Sequence, residues 1–145
     1  MRKLLAIVVL AVLAALPTHG EDRPGEKYIS AIAAVEDLEL RSRCVKAAVA
    51  LDRWSKRLKI QNWDIELICG EYTKMPGAYG ATEIYQNSLK ANMWVNVQAD
   101  RDAEEVVIHE LLHLLFREVI GSPLGEERAT WTLSSLLFEG RRAIK

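Results

Sequence analysis

An α+β fold is predicted from three features of the chain: a helix-spaced apolar stretch of about thirty residues, three short alternating runs after it, and two further helix-spaced stretches near the end. Helix, then strands, then helices is the order of a small domain in which a sheet is backed by helices.

Ahead of these elements, Arg2 and Lys3 are followed by an unbroken apolar run over residues 4–16. Its thirteen residues are too few to span a bilayer and match the apolar part of an export signal. Thr18 and Gly20, before Glu21, offer a cleavage point, so residues 1–20 are expected to be removed; an uncleaved anchor or a buried core helix is the alternative. Residues 21–145 then form one exported domain, periplasmic or secreted, a monomer with no stable membrane insertion. They contain no repeat and no linker rich in Pro, Gly or Ser. The formal net charge is −1, and losing Arg2 and Lys3 makes it two units more negative, which argues against a nucleic-acid partner.

Residues 27–58 are helix-forming, with Ile29, Ile32, Val35 and Leu38, then Val45, Ala48, Leu51, Trp54 and Leu58 at helical spacing. One bent helix and two helices both fit. Arg53, Lys56, Arg57 and Lys59 read as its wet face near a C-terminus that favours positive charge. Residues 21–43 are also candidates for a latency segment over a binding cleft.

Three strands follow, at residues 63–69, 79–85 and 91–97. The first alternates Trp63, Ile65, Leu67 and Cys69 against Asp64 and Glu66. Met75-Pro76-Gly77 and Asn87-Ser88 mark the turns, and the last two strands read as a hairpin. The four tryptophans, Trp54, Trp63, Trp94 and Trp131, are spread one per element and read as core. Cys44 and Cys69 are the only cysteines, a pair that an oxidising compartment would join. The bond would close a loop of about 25 residues and contribute about 3 kcal/mol. Two buried thiols are the alternative, or Cys69 as a metal ligand of the kind peptide deformylases use, although their flanking motifs are absent.

His109-Glu110-Leu111-Leu112-His113 carries the chemistry. On a helix the two histidines lie one turn apart and about 40° apart around the axis, as two ligands of one tetrahedral zinc require. Glu110 between them is placed to deprotonate water at that ion. Five letters match by chance about once in a few hundred chains of this length, so context decides. Val106, Val107 and Ile108 before the motif, and Leu111, Leu112, Leu114, Leu115 and Phe116 after it, make a buried helix in which imidazoles need a partner. Asp100 or Asp102 would cap it, with Glu104 and Glu105 in its favourable first turn. Gly121-Ser122-Pro123 would end it.

Of three histidines, His19 lies in the segment expected to be removed, so a third protein ligand must be a carboxylate or cysteine. Phe116 and Val119 stand where the H-E-x-x-H-x-x-G-x-x-H pattern needs glycine and histidine. A last helix over about residues 123–140, with Ala129, Leu133, Leu136 and Leu137 on one face, places Glu126 inward. Glu127 is the alternative ligand, or a first-turn acid. Glu118 and Glu139 fall elsewhere by rotation and distance. A motif helix reaching residue 120 would climb about 10 Å beyond His113, so Glu126 must reach back or the helix stop early.

His109-Glu110-x-x-His113 together with a glutamate opening the next helix resembles the gluzincin clan of zinc metallopeptidases. The order of backing helix, three-stranded sheet, H-E-x-x-H helix and C-terminal glutamate helix is similar to the minigluzincins. Phage and bacterial relatives of the ImmA metallopeptidases are also similar, through Glu126-Glu127-Arg128-Ala129-Thr130 and Leu136-Leu137, with Thr130 where many of them have asparagine. The resemblance spans residues 45–140 as an order of elements. It implies a small zincin-like domain with one Zn2+ held by His109 Nε2, His113 Nε2 and Glu126, water at the fourth position, and Glu110 as general base. A peptide or protein substrate would lie extended along residues 79–85. An exported non-peptidase domain with a structural or latent metal is the competing function.

Overall fold

In the computed structural model the described residues are 25–86, 88–120 and 126–143, and the side chains at 117–120, 126–129, 132 and 141–143 fall outside the description. The expected export signal, residues 1–20, lies outside it too. Among the described residues no helix is long and apolar enough to cross a membrane.

The helical stretch at residues 27–58 is two helices. A 3₁₀ turn, Glu26–Tyr28, leads into α1 (Ile29–Ala33), and α2 spans Leu38–Arg57. Asp37 makes the break: its backbone is extended, and Oδ1 accepts from the amides of Glu39 and Leu40, both at 2.9 Å. Arg41 Nε donates to the Val35 carbonyl at 2.7 Å, closing the loop between the helices. Tyr28, Ile32 and Val35 belong to the core, so this part of residues 21–43 packs into the domain's interior. At its other end α2 stops in a left-handed turn at Lys59, φ 57°. The Ile60 amide returns to the Ser55 carbonyl at 3.0 Å and the Lys59 amide to Lys56 at 3.2 Å. Lysine in this conformation costs about 1 kcal/mol, offset by the two bonds and by burial of Ile60.

The sheet has the order β1 (Asp64–Cys69), β3 (Lys90–Val95), β2 (Gly80–Ile84). β2 and β3 form the expected antiparallel hairpin, with Thr82 opposite Met93 and Gly80 opposite Val95. β1 pairs with β3 in parallel, Leu67 opposite Met93, so the last strand in sequence is the middle one in space. Ile65, Leu67, Ala91, Met93 and Val95 are buried on the face toward the helices. That alternation is why the three segments are strands. β2 is left at the sheet edge.

Two helices complete the domain: α3 (Ala103–Ile120) and α4 (Glu126–Ala143). α3 is central, in contact with α2, α4, β2 and β3. Val106, Val107, Ile108, Leu111, Leu112 and Leu114 are all buried, as their unbroken apolar run predicts. Its start is fixed twice. Asp102 Oδ1 caps it by accepting from the Glu104 amide at 2.9 Å, and Lys46 of α2 pairs with Asp102. Arg43 of α2 donates to the carbonyls of Val97 and Ala99 at 3.2 and 3.0 Å, anchoring the loop before the helix.

Arg53 corrects the expectation of a wet basic face on α2. Its Nη2 lies 2.6 Å from Oε1 of Glu104, which is 1% exposed and also accepts from Trp54 Nε1 at 2.8 Å. Glu104 is therefore more than a first-turn acid: it locks α3 to α2. Cys44 and Cys69 are joined in a disulfide, tying α2 to the end of β1 and excluding Cys69 as a metal ligand.

The inward face of α4 also differs from expectation. Leu133 and Leu136 are exposed, at 38% and 60%, whereas Thr130 and Ser134 are fully buried and Phe138 is nearly so. The buried line steps by four, Thr130, Ser134, Phe138, because two small hydroxyl residues let α4 lie close against α3. Of the tryptophans, Trp54 and Trp63 are core, while Trp94 is half-buried against Tyr72 and Trp131 faces the histidines.

Candidate metal centre

The two histidines converge as the helix geometry demands. His109 Nε2 and His113 Nε2 stand 3.0 Å apart, with the rings nearly perpendicular at 80°. Two bonds of about 2.05 Å at a tetrahedral angle would separate ligand nitrogens by about 3.3 Å, so the pair fits a single zinc-sized ion with little adjustment. One ligand atom from each of His109, Glu110 and His113 can be chosen so that all lie within 4.8 Å of one another. His109 and Glu110 are buried and His113 is half-buried, which leaves the cluster reachable from one side. These residues can hold a metal ion.

Residues beyond the motif shape this cluster. The Trp131 ring stacks on His109 at 3.8 Å between centroids, tilted by 35°. Tyr79 meets Trp131 edge-on at 6.1 Å. The Arg101 guanidinium lies 4.7 Å from the Trp131 ring centroid and 5.0 Å from that of Tyr79. Cation–π contact and an ion pair with Glu105, 3.5 Å away, together hold this arginine beside the site. The reading of Trp131 as plain core missed this. A tryptophan one turn after a candidate ligand on the glutamate helix was the available signal.

Glu110 is held from the edge strand. Thr82 Oγ1 donates to Glu110 Oε2 at 2.7 Å. Residue 80 must be small: a Cβ on Gly80 would stand 2.6 Å from Val106 Cγ1, 2.8 Å from Glu110 Oε1 and 3.0 Å from the Trp94 carbonyl oxygen. Gly80 and Thr82, two residues apart, share the strand face that looks at α3. Sequence reasoning placed the strand and left both residues unremarked.

The helices α3 and α4 run antiparallel past each other. Ser135 Oγ donates to Glu105 Oε1 at 3.0 Å, and one turn along Trp131 covers His109. α3 extends to Ile120, so it does not stop early, and α4 begins at Glu126. Glu126 opens α4, and position 126 continues the line of Thr130, Ser134 and Phe138. The side chains of Glu126 and Glu127 are outside the described residues.

Burial, then the neighbouring His113 and Arg101, push the pKa of His109 down from 6.5 to about 3. Its imidazole is therefore neutral at physiological pH, the form that ligates metals. The unfolded chain binds the proton more readily than the folded one, so the contribution of His109 to stability is complete above about pH 6.5 and is lost as pH falls toward 3. Metal-free protein should show a Tm that falls steadily between pH 7 and 4. His109→Ala, titrated the same way, should show a shallower slope; equal slopes would mean His109 is not the group responsible.

No family model, curated protein or solved structure matches this chain.

Proposed function

We propose that this protein is an exported zinc-dependent metalloendopeptidase of the gluzincin type, hydrolysing peptide bonds in unfolded or extended substrates. The observation that carries the reading is the pair of imidazole nitrogens 3.0 Å apart, with a buried carboxylate between them in sequence whose Oε2 accepts from Thr82 of the edge strand. His109 and His113 hold the ion through Nε2, and Glu126 supplies the third ligand. Support for Glu126 is its place at the start of α4, one turn before the buried Thr130. Three protein ligands rather than four are the pattern of a catalytic site. The disulfide and the absence of a membrane-crossing helix among the described residues fit an exported protein.

Zinc, when bound, supplies Lewis acidity, acidifying water and polarising the scissile carbonyl. The remaining work falls to the chain. Glu110 accepts a proton from the attacking water and returns it to the leaving amine, so that no charged amide nitrogen has to depart. Thr82 holds Oε2 of that carboxylate. β2, a sheet edge beside Glu110, offers backbone groups on which an extended peptide can add as a further strand. Trp131 shields one face of His109 from water.

The deciding measurement is metal content of the purified protein alongside cleavage of varied unfolded peptides. One zinc per chain and cleavage are expected in wild type. Glu126→Ala should lose the metal, whereas Glu127→Ala should keep it. Reversal of the two would move the ligand by one residue, and zinc retained in both would remove this helix from the site. Stoichiometric zinc with no cleavage of any peptide would favour a structural or latent metal.

A further inference from the structure

We infer that Thr82, on the edge strand, is the positioning residue that aims the Glu110 carboxylate, and that the glycine at 80 is the space which allows it. Glutamate has three rotatable side-chain bonds, and a carboxylate about 100° around the helix from His109 does not by itself face the reacting water. Here one strand holds one of its oxygens and leaves space for the other. Oε2 accepts the Thr82 hydroxyl at 2.7 Å, and Oε1 lies where a Cβ on residue 80 would come within 2.8 Å. The hydroxyl is itself oriented, because Thr82 is locked in register opposite Met93, a fully buried residue, and a β-branched side chain has few χ1 choices.

The same strand is the edge along which the proposed substrate would lie, so base and substrate are referenced to one rigid element. A displacement of the strand would carry both together. Gly80 keeps that space open: a Cβ there would meet Val106, the Glu110 carboxylate and the Trp94 carbonyl oxygen. The kinetic part of this inference rests on the peptidase reading above; the geometric part does not.

The test uses the zinc-loaded full domain with Thr82→Val, which keeps shape and β-branching but not the hydroxyl, and Thr82→Ser, which keeps the hydroxyl. Loss of alignment by about 1 Å costs up to about a hundredfold in rate. Thr82→Val should therefore lower kcat by about 10- to 100-fold with KM, zinc content and Tm close to wild type, and Thr82→Ser should recover most of the rate. Crystal structures of the same proteins give a readout that needs no turnover. The Glu110 carboxylate should keep its place in Thr82→Ser and be displaced or spread over several conformers in Thr82→Val. An unchanged carboxylate in Thr82→Val overturns the inference, as does an unchanged kcat in an active enzyme or a loss of zinc. If wild type cleaves nothing, the peptidase reading fails alone and the crystals still decide.

Discussion

Glu110→Gln is expected to lower kcat/KM by about a thousandfold while leaving zinc content and fold unchanged. General acid–base catalysis by a positioned side chain contributes about 10²–10⁴-fold, and glutamine removes all of it because an amide cannot take the proton. The substitution is otherwise conservative. Glutamine has the same shape in a position only 3% exposed, and its carbonyl oxygen can still accept from Thr82. Glu110 is not assigned to the ion, so metal should stay bound. The measurement is peptide cleavage with zinc quantified on the same samples. A Glu110→Gln protein as active as wild type would remove the proposed base, and one that loses zinc would make Glu110 a ligand.

Arg53→Ala is expected to destabilise the fold by about 3 kcal/mol, the largest effect predicted away from the motif. Removing one partner of a buried pair leaves an uncompensated charge, and Glu104 at 1% exposure has no route to bulk water of its own. The lower end of the usual range is taken because the Arg53 side chain is 29% exposed, so water can enter where the guanidinium was. Trp54 Nε1 continues to donate to the carboxylate and softens the loss. Denaturant unfolding gives the value. A change below about 0.5 kcal/mol would show that Glu104 can take a proton or a water in place of Arg53 at little cost. The effect should also reach the metal centre, because Glu104 lies one turn and a half before His109 on the same helix.

Much of the fold was legible because its signals are local. The alternation of Ile65 and Leu67 against Asp64 and Glu66 needs no partner to be read as a strand, and the hairpin followed from the short Asn87-Ser88 turn. The bent helical stretch was ambiguous because apolar spacing is the same on both sides of the break; only the Asp37 side chain turning back on two amides settles it. For α4 the expected face was wrong by rotation, because leucines mark an inward face only when the neighbour leaves room for them. Close approach to α3 instead selected Thr130 and Ser134, and left Leu133 and Leu136 outside.

By itself the sequence determined the paired imidazoles and the carboxylate between them, since a helix repeats every 3.6 residues and the spacing of His109, Glu110 and His113 fixes their mutual arrangement before any tertiary contact. It also limited any disulfide to one pairing, Cys44 with Cys69, and the structure shows the two joined. Tertiary structure alone decided which groups from elsewhere meet that helix: Thr82 and Gly80 from β2, Trp131 from α4, Arg101 from the loop, and Arg53 from α2. These contacts join positions tens of residues apart. They depend on strand order, helix rotation and closeness of approach, which are set by how the whole core fills its volume and leave no periodic trace along the chain.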